Sequence, residues 1–272
     1  MPGFNTKRPW MMGILNVTPD SFTDGGKYLA KGAAVVRGLE MAEEGADILD
    51  VGGESTRPFS ETVSLDDEIN RVVPVIRELA HKVTIPISID TTKAEVARQA
   101  IEAGASWVND VTALRGDSEM AGVAAHYKVP VILMHMRGTP ETMQADPRYE
   151  DLFQEIREFF EERMAFAESQ GIQREQILLD PGIGFGKTFG HNLSLIKGIS
   201  RFLTLGRPLV LGPSRKAFIG NLVGKDNRFR DEGTAACVAA GVFHGVQVFR
   251  VHEVGFMKRV AAVACALRDA EI

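Results

Sequence analysis

The sequence predicts an α/β protein: one (β/α)8 barrel domain spanning residues 1–272. Three observations predict it. Eight short runs are nearly continuously apolar, as parallel strands buried on both faces must be. Longer stretches with helical spacing separate them. Each run ends in a residue that carries charge or forms hydrogen bonds, as expected where barrel strands reach the catalytic face. An open, doubly wound sheet is the alternative reading of the same alternation.

The first run, "WMMGILNV" (10–17), ends in Asn16. The second, "DILDVGG" (47–53), leads into Glu54, Ser55, Thr56 and Arg57. Residues 64–83 place Ile69, Val72, Val73 and Ile76 at helical spacing. "IPISID" (85–90) ends in Asp90. Helix 92–104 opens on the capping-box pattern Thr92-x-x-Glu95 and closes on Gly104. Asp90 could itself cap that helix, but Thr91 or Thr92 can do so instead and leave Asp90 for a ligand.

"SWVNDV" (106–111) supplies Asn109 and Asp110, and "VPVILMHM" (129–136) supplies His135. A charged helix over 149–171 follows, again closed by a glycine. "ILLDPG" (177–182) ends in Asp180, "RPLVLGPS" (207–214) runs into Ser214, Arg215 and Lys216, and "VQVFRVH" (246–252) carries Arg250 and His252. One such residue could be a cap. Eight at one rim describe a polar ring over a packed barrel, which is a candidate active site.

Composition narrows the function. A net charge of −5 speaks against a mainly electrostatic nucleic-acid binder. No apolar run is long enough to span a membrane, and the first residues lack a signal-peptide core, so a soluble cytoplasmic protein is expected. Cys237 and Cys265 lie in Ala/Val-rich helical stretches and read as buried, reduced thiols.

The stretch "LLDPGIGFGKT" (178–188) looks like a phosphate cradle. A P-loop, however, needs its first glycine where Pro181 stands. The ring also divides by charge. Asp90, Asn109 and Asp180 can accept hydrogen bonds from a donor-rich heterocycle. Arg215, Lys216, Arg250 and His252 suit an anion, and Asn16 offers the neutral oxygen that a Mg²⁺ held mainly by phosphate and water would take.

"MGILNVTPDSFTDGG" (12–26), "GGESTRP" (52–58), "ISIDTTKAEVA" (87–97), "VNDV" (108–111), "DPGIGFGKT" (180–188), "SRKAFIG" (214–220) and "RVHEV" (250–254) stand in this order along the chain. Together they resemble the dihydropteroate synthase family. The resemblance implies a cytoplasmic barrel enzyme of folate synthesis, usually a homodimer, and a sulfonamide target. It would join 6-hydroxymethyl-7,8-dihydropterin diphosphate to 4-aminobenzoate, giving 7,8-dihydropteroate and pyrophosphate.

By resemblance, Asp90, Asn109, Asp180 and Lys216 hold the pterin. Asn16, Arg250 and His252 hold the diphosphate, with Mg²⁺ between the phosphates and Asn16. Arg250 is thus expected to serve the diphosphate and not the ring. Phe22, Pro58, Phe185 and Ser214 would contact the aminobenzoate. Thr56 and Arg57 would secure a closed loop, and Asp24 would support a cationic pterin carbon. A catalytically silent synthase-like protein and a folate-dependent methyltransferase domain are the rival readings. Gly182, Gly184 and Gly186 are expected to bring backbone close to a flat ring, and Lys187 has no assigned role.

Overall fold

The computed structural model describes residues 8–18, 26–55, 62–139 and 142–271. Strands and helices alternate along the chain: β1 (Trp10–Asn16), α1 (Gly26–Glu43), β2 (Ile48–Gly52), α2 (Leu65–Ala80), β3 (Ile87–Asp90), α3 (Ala94–Glu102), β4 (Trp107–Asp110) and α4 (Met120–Tyr127) come first. Then follow β5 (Val131–Met134), α5 (Leu152–Ser169), β6 (Ile177–Asp180), α6 (Phe189–Gly198), β7 (Val210–Leu211), α7 (Ala217–Val223), α8 (Asn227–Phe243), β8 (Val248–Val251) and α9 (Val254–Arg268). All eight predicted strands are present. The sheet is parallel, in the order β6-β5-β4-β3-β2-β1-β8-β7, and a parallel bridge between Leu179 and Leu209 joins its ends into a barrel.

β7 is the shortest strand, although its apolar run covers 207–214. Pro208 and Pro213 have no N–H to donate, so the ladder is confined to the residues between them. The sequence between β7 and β8 holds two helices where the alternation requires one.

Strand alternation sorts the side chains into two sets. Leu49, Val51, Ile89, Leu133, Leu179 and Phe249 point outward and belong to the large core between strands and helices. Met12, Ile48, Trp107, Ile132, Leu178, Val210 and Val248 form a separate apolar cluster, the packed floor of the barrel. Two residues further along each strand, on the same inward face, stand Ile14, Asp50, Asn109, Met134, Asp180, Gly212 and Arg250. β3 contributes Ser88 and then Asp90. The polar ring therefore sits one layer above the floor.

Helix termini follow local chemistry. Ser64 accepts from the Asp67 amide to cap α2, and Asp151 accepts from Phe153 and Gln154 to cap α5. The Thr92–Glu95 capping box does not form. Lys93 is the N-cap residue of α3 and makes no side-chain cap bond. Asp117 takes the Ala94 amide instead, at 2.9 Å, and Thr91 Oγ1 accepts from the Lys93 amide. Glu95 is engaged by Arg98 and Gln99. The cysteines do lie in helices, but they are half-buried rather than buried.

Candidate active site

The strand ends surround a cavity of about 1330 Å³. Asn16, Asp90, Phe185, Ser214, Lys216, Arg250 and His252 all line it. Asn109 and Asp180 are buried at 5% and 7% exposure and do not line it themselves; Asp180 Oδ2 lies behind Gly212, which does. One row of strand register explains part of this arrangement: Asn16 pairs with Gly52, Gly52 with Asp90, and Asp90 with Asn109. Gly52 leaves room in that row. A Cβ there would stand 3.6 Å from the Asp90 carboxylate oxygen.

An ion-paired chain crosses the barrel just above its floor. Arg250 donates from Nε to Asp50 Oδ2 at 2.6 Å and from Nη2 to Asp90 Oδ2 at 2.5 Å. Asn109 Nδ2 donates to the same Asp50 oxygen at 3.0 Å. Burial alone would lower the guanidinium's pKa, but Asp50 and Asp90 more than offset it and hold it above its ordinary value. Burial pushes the Asp90 carboxyl up to about 7, against the pull of Arg250 and with the repulsion of Asp50. Arg250 is therefore first a counter-ion to the barrel carboxylates. It lines the cavity as well, where the expected anion would lie.

Asp50 is the residue that sequence reasoning missed. Its side chain is wholly buried, and among the described residues Oδ1 has no partner. The signal was available: a lone carboxylate inside an apolar run, in phase with Gly52 and so facing inward.

On the opposite wall, Asp180 Oδ1 accepts from the Gly182 amide at 2.7 Å. Burial raises its pKa, while that amide and the charges of Lys216, Lys187 and Arg250 oppose the shift. Lys216 Nζ lies 4.1 Å from the centroid of the Phe185 ring, a cation–π contact at the cavity wall. Ser214 Oγ is 2.8 Å from His252 Nδ1 and accepts from the His252 amide at 3.2 Å. The ends of β7 and β8 are thus tied together beside the cavity.

Arg215, expected in the cationic set, lines the cavity but is held by acidic partners. It has a left-handed backbone (φ 56°), and its guanidinium is held by Asp231 at 2.8 Å and by Glu253 at 2.6 Å. Asp110 is likewise a loop tether. Its oxygens accept from the Thr112 and Leu114 amides and from the Thr112 hydroxyl. They support two left-handed residues, Ala113 and Leu114.

In the glycine-rich loop after β6, Gly184 lines the cavity beside Lys216, and the other two glycines meet the chain that follows β5. Gly182, Gly184 and Gly186 all have positive φ, at 68°, 83° and 64°. A Cβ on Gly182 would collide with the His135 carbonyl oxygen, and one on Gly186 would meet Arg137 O at 2.6 Å. Gly182 and Gly186 let this loop press on the chain just after β5. Lys187 locks the contact: its buried Nζ lies 2.7 Å from His135 Nδ1 and donates to the His135 carbonyl at 3.0 Å. Burial moves the Lys187 pKa well below its usual value. Burial, and then Lys187, lower that of His135 to about 2. Asn192 fastens the loop's other side, accepting from the Gly184 amide at 2.7 Å.

Phe22, Asp24, Thr56, Arg57 and Pro58 lie outside the described residues. Among the described residues, no group of three or more His, Cys, Asp or Glu side chains could hold a metal.

The cavity pairs buried acceptors with a cationic, aromatic wall, which suits a flat, donor-bearing ring with an anionic neighbour. Comparison with known proteins agrees. The pterin-binding enzyme family matches residues 12–252. The chain is 47% identical over 262 residues to the dihydropteroate synthase of Synechocystis sp., covering 96% of this chain and 91% of that one. The Yersinia pestis dihydropteroate synthase, solved with a sulfonamide drug complex, superposes with a TM-score of 0.92 at 39% identity, covering 98% of this chain and 96% of that one. The Xanthomonas albilineans dihydropteroate synthase, solved with 4-aminobenzoic acid, gives a TM-score of 0.91 at 42% identity over 98% and 95% of the two chains. With its barrel, its polar ring and near-complete coverage of these relatives all in agreement, the chain belongs to the pterin-binding enzymes, in the dihydropteroate synthase family.

Proposed function

We propose that this protein condenses 6-hydroxymethyl-7,8-dihydropterin diphosphate with 4-aminobenzoate, releasing pyrophosphate and forming 7,8-dihydropteroate. The observation that carries the reading is one cavity lined by the buried carboxylate Asp90 together with Lys216 and Phe185, with a second buried carboxylate, Asp180, behind its Gly212 wall.

Asp90 and Asp180 accept hydrogen bonds from the donor edge of the pterin, and Asn109 complements the mixed edge. Arg250 keeps Asp90 aligned while adding positive charge near the diphosphate. Lys216 covers the ring from the Phe185 side. Asn16 and His252 face the leaving group at the cavity mouth. Phe185 and Ser214, with Phe22 and Pro58, border the aminobenzoate. Asp24, Thr56 and Arg57 act from the two loops that follow β1 and β2.

The bond broken joins the pterin methylene carbon to a diphosphate oxygen, and the electron pair leaves with pyrophosphate. The reduced ring donates density to that carbon, so departure precedes attack. The neutral amine of aminobenzoate then forms the C–N bond and gives up a proton to solvent. The fixed positive charge around the leaving group stabilises the developing anion.

The donor chemistry fits a Mg²⁺ ion carried mainly by diphosphate and water, with the Asn16 side-chain oxygen as its protein ligand. When bound, it would neutralise charge on the departing pyrophosphate.

Sulfonamides are expected to compete with the aminobenzoate. We further read the protein as a cytoplasmic homodimer. Phe243 on α8, with Val263 and Leu267 on α9, is exposed along one apolar groove, which supports a paired surface. No helix among the described residues is long and apolar enough to cross a membrane.

Incubation with the pterin diphosphate, 4-aminobenzoate and Mg²⁺ tests the reading, with dihydropteroate and pyrophosphate measured together. Diphosphate binding without product identifies a silent relative. Absence of pterin diphosphate binding refutes the assignment.

A further inference from the structure

A brace of charged groups stands behind the end of β8. Only His252 and Glu253 separate β8 from α9, and both line the cavity. Arg37 of α1 donates from Nη2 to the His252 carbonyl at 3.2 Å and from Nη1 to Glu44 Oε1 at 2.8 Å. Glu44, just beyond α1, accepts from the Gly255 amide through its other oxygen at 3.1 Å. The pair thus grips the turn at two points, one before α9 and one inside its first turn. Gly255 lets Glu44 come this close: a Cβ there would stand 3.4 Å from the Glu44 Cβ.

α9 has a local alternative that it does not use. Glu253 is its N-cap residue but makes no side-chain cap bond; its carboxylate pairs with Arg215 at 2.6 Å instead. Glu44 does the capping from a distant part of the chain and places negative charge at the start of the helix. Arg37 lines the cavity too, yet Glu40 at 3.1 Å and Glu44 at 2.8 Å already neutralise its guanidinium, which makes it a poor anion ligand. What it adds to the site is the bond to the His252 carbonyl. His252 is then held through amide, ring and carbonyl. Ser214 Oγ accepts from its amide at 3.2 Å and lies 2.8 Å from its ring Nδ1, while Arg37 takes the carbonyl. Fixing amide and carbonyl sets the direction of the side chain, and such outer bonds are what keep a site residue in its working geometry.

We propose that Arg37, with Glu44 as its partner, is a positioning residue that fixes His252 at the cavity wall, and so governs binding of the diphosphate without governing recognition of the pterin ring. The inference rests on the proposed function, which gives His252 the leaving group.

The test compares wild type with Arg37→Met/Glu44→Gln and Arg37→Lys. The double substitution removes the charge pair, while the side-chain amide oxygen of Glu44→Gln can still accept from the Gly255 amide, so α9 keeps its cap and the protein folds. Its affinity for inorganic pyrophosphate with Mg²⁺, by calorimetry, should fall about fivefold, as for the loss of one hydrogen bond. The KM for pterin diphosphate should rise in step, with the affinity for unphosphorylated pterin unchanged within about twofold. The His252 ring signals in NMR, assigned with His252→Gln, should shift. Arg37→Lys keeps a charge for Glu44 but lacks the fork that also reaches the carbonyl, so it should keep thermal stability and still lose pyrophosphate affinity. Unmoved His252 signals or unaltered pyrophosphate affinity in the folded double variant overturn the proposal. So does pterin affinity that falls with pyrophosphate affinity, which would mark a general structural role, and so does full pyrophosphate affinity in Arg37→Lys. Wild type that binds pyrophosphate but forms no dihydropteroate refutes the proposed function, and the pyrophosphate and ring measurements still decide the inference. Wild type that binds neither pyrophosphate nor pterin diphosphate overturns both.

Discussion

Arg250→Met isolates the ion-paired chain at the barrel centre. It keeps an apolar stem and deletes the guanidinium that serves Asp50 at 2.6 Å and Asp90 at 2.5 Å. Removing one partner of a buried pair typically costs about 3–5 kcal/mol, because the other charge is stranded. Asp50 keeps Asn109 as a donor, so a value near the lower end, about 3 kcal/mol, is expected at alkaline pH.

The deficit should depend on pH. Burial raises the folded Asp90 carboxyl to about 7 from an ordinary 3.8. The folded state therefore holds this proton more tightly than the unfolded chain. The stability it contributes is complete below 3.8 and is lost as pH climbs to about 7. Without Arg250 the folded value moves higher still, and the loss continues above neutrality. The variant should thus differ least from wild type at about pH 6 and most at about pH 8.5.

Urea denaturation at both pH values measures this difference, and calorimetric titration with an unphosphorylated pterin reads the site itself. Pterin affinity should fall about tenfold for each unit by which Asp90 is shifted beyond the working pH. A stability deficit below about 1 kcal/mol at alkaline pH, or one larger in acid, would refute the counter-ion role. Unchanged pterin affinity would return Arg250 to the diphosphate alone.

Asp180→Asn keeps the shape of the other carboxylate and should weaken pterin binding by about 1–3 kcal/mol in calorimetry; equal affinity would remove Asp180 from the site. Gly182→Ala should destabilise the fold by about 1–3 kcal/mol in denaturant titrations, since its φ is 68° and its new Cβ meets the His135 carbonyl. Gly190→Ala is the contrast. It lies in the first turn of α6 with only Thr188 Oγ1 within 4.0 Å, and it should gain up to about 1 kcal/mol. The His135 ring should show no titration between about pH 4 and pH 8 by NMR, because burial and Lys187 hold it at about 2. A midpoint near 6.5 would disprove the buried Lys187–His135 pairing.

The strands were legible because burial on both faces leaves no polar position to blur the run. The rim was legible because barrel geometry concentrates polar side chains at strand ends. What stayed hidden depends on partners far away in the chain. Asp50 sits mid-strand, and only its inward phase and the distant Arg250 give it meaning. Arg215 looks like an anion ligand until Asp231 and Glu253 claim it. The Thr92–Glu95 pattern satisfies a local rule, yet Asp117 and Arg98 compete for the same groups and win. The three glycines after Asp180 announce left-handed backbone. They do not say that two of them face the chain after β5 and the third faces Lys216.

The barrel is a ring with a clasp. Seven of its joints are laddered strand pairs, whereas β6 meets β7 through the Leu179–Leu209 bridge and the bond from the Leu179 amide to Pro208 O at 3.0 Å. β7 leans on β8 instead, and the Gln247 side chain accepts from the Leu209 amide at 2.8 Å where a strand partner would otherwise stand. Thermal opening should therefore begin at this clasp, with the Leu179 amide exchanging with solvent before those of β2 and β3. The same clasp lies between Asp180 on one side and Ser214 and Lys216 on the other. The proposed pterin site would thus span the one joint among the described strands that is not a laddered pair, and a ligand held by both lips would act as the rivet that closes the ring.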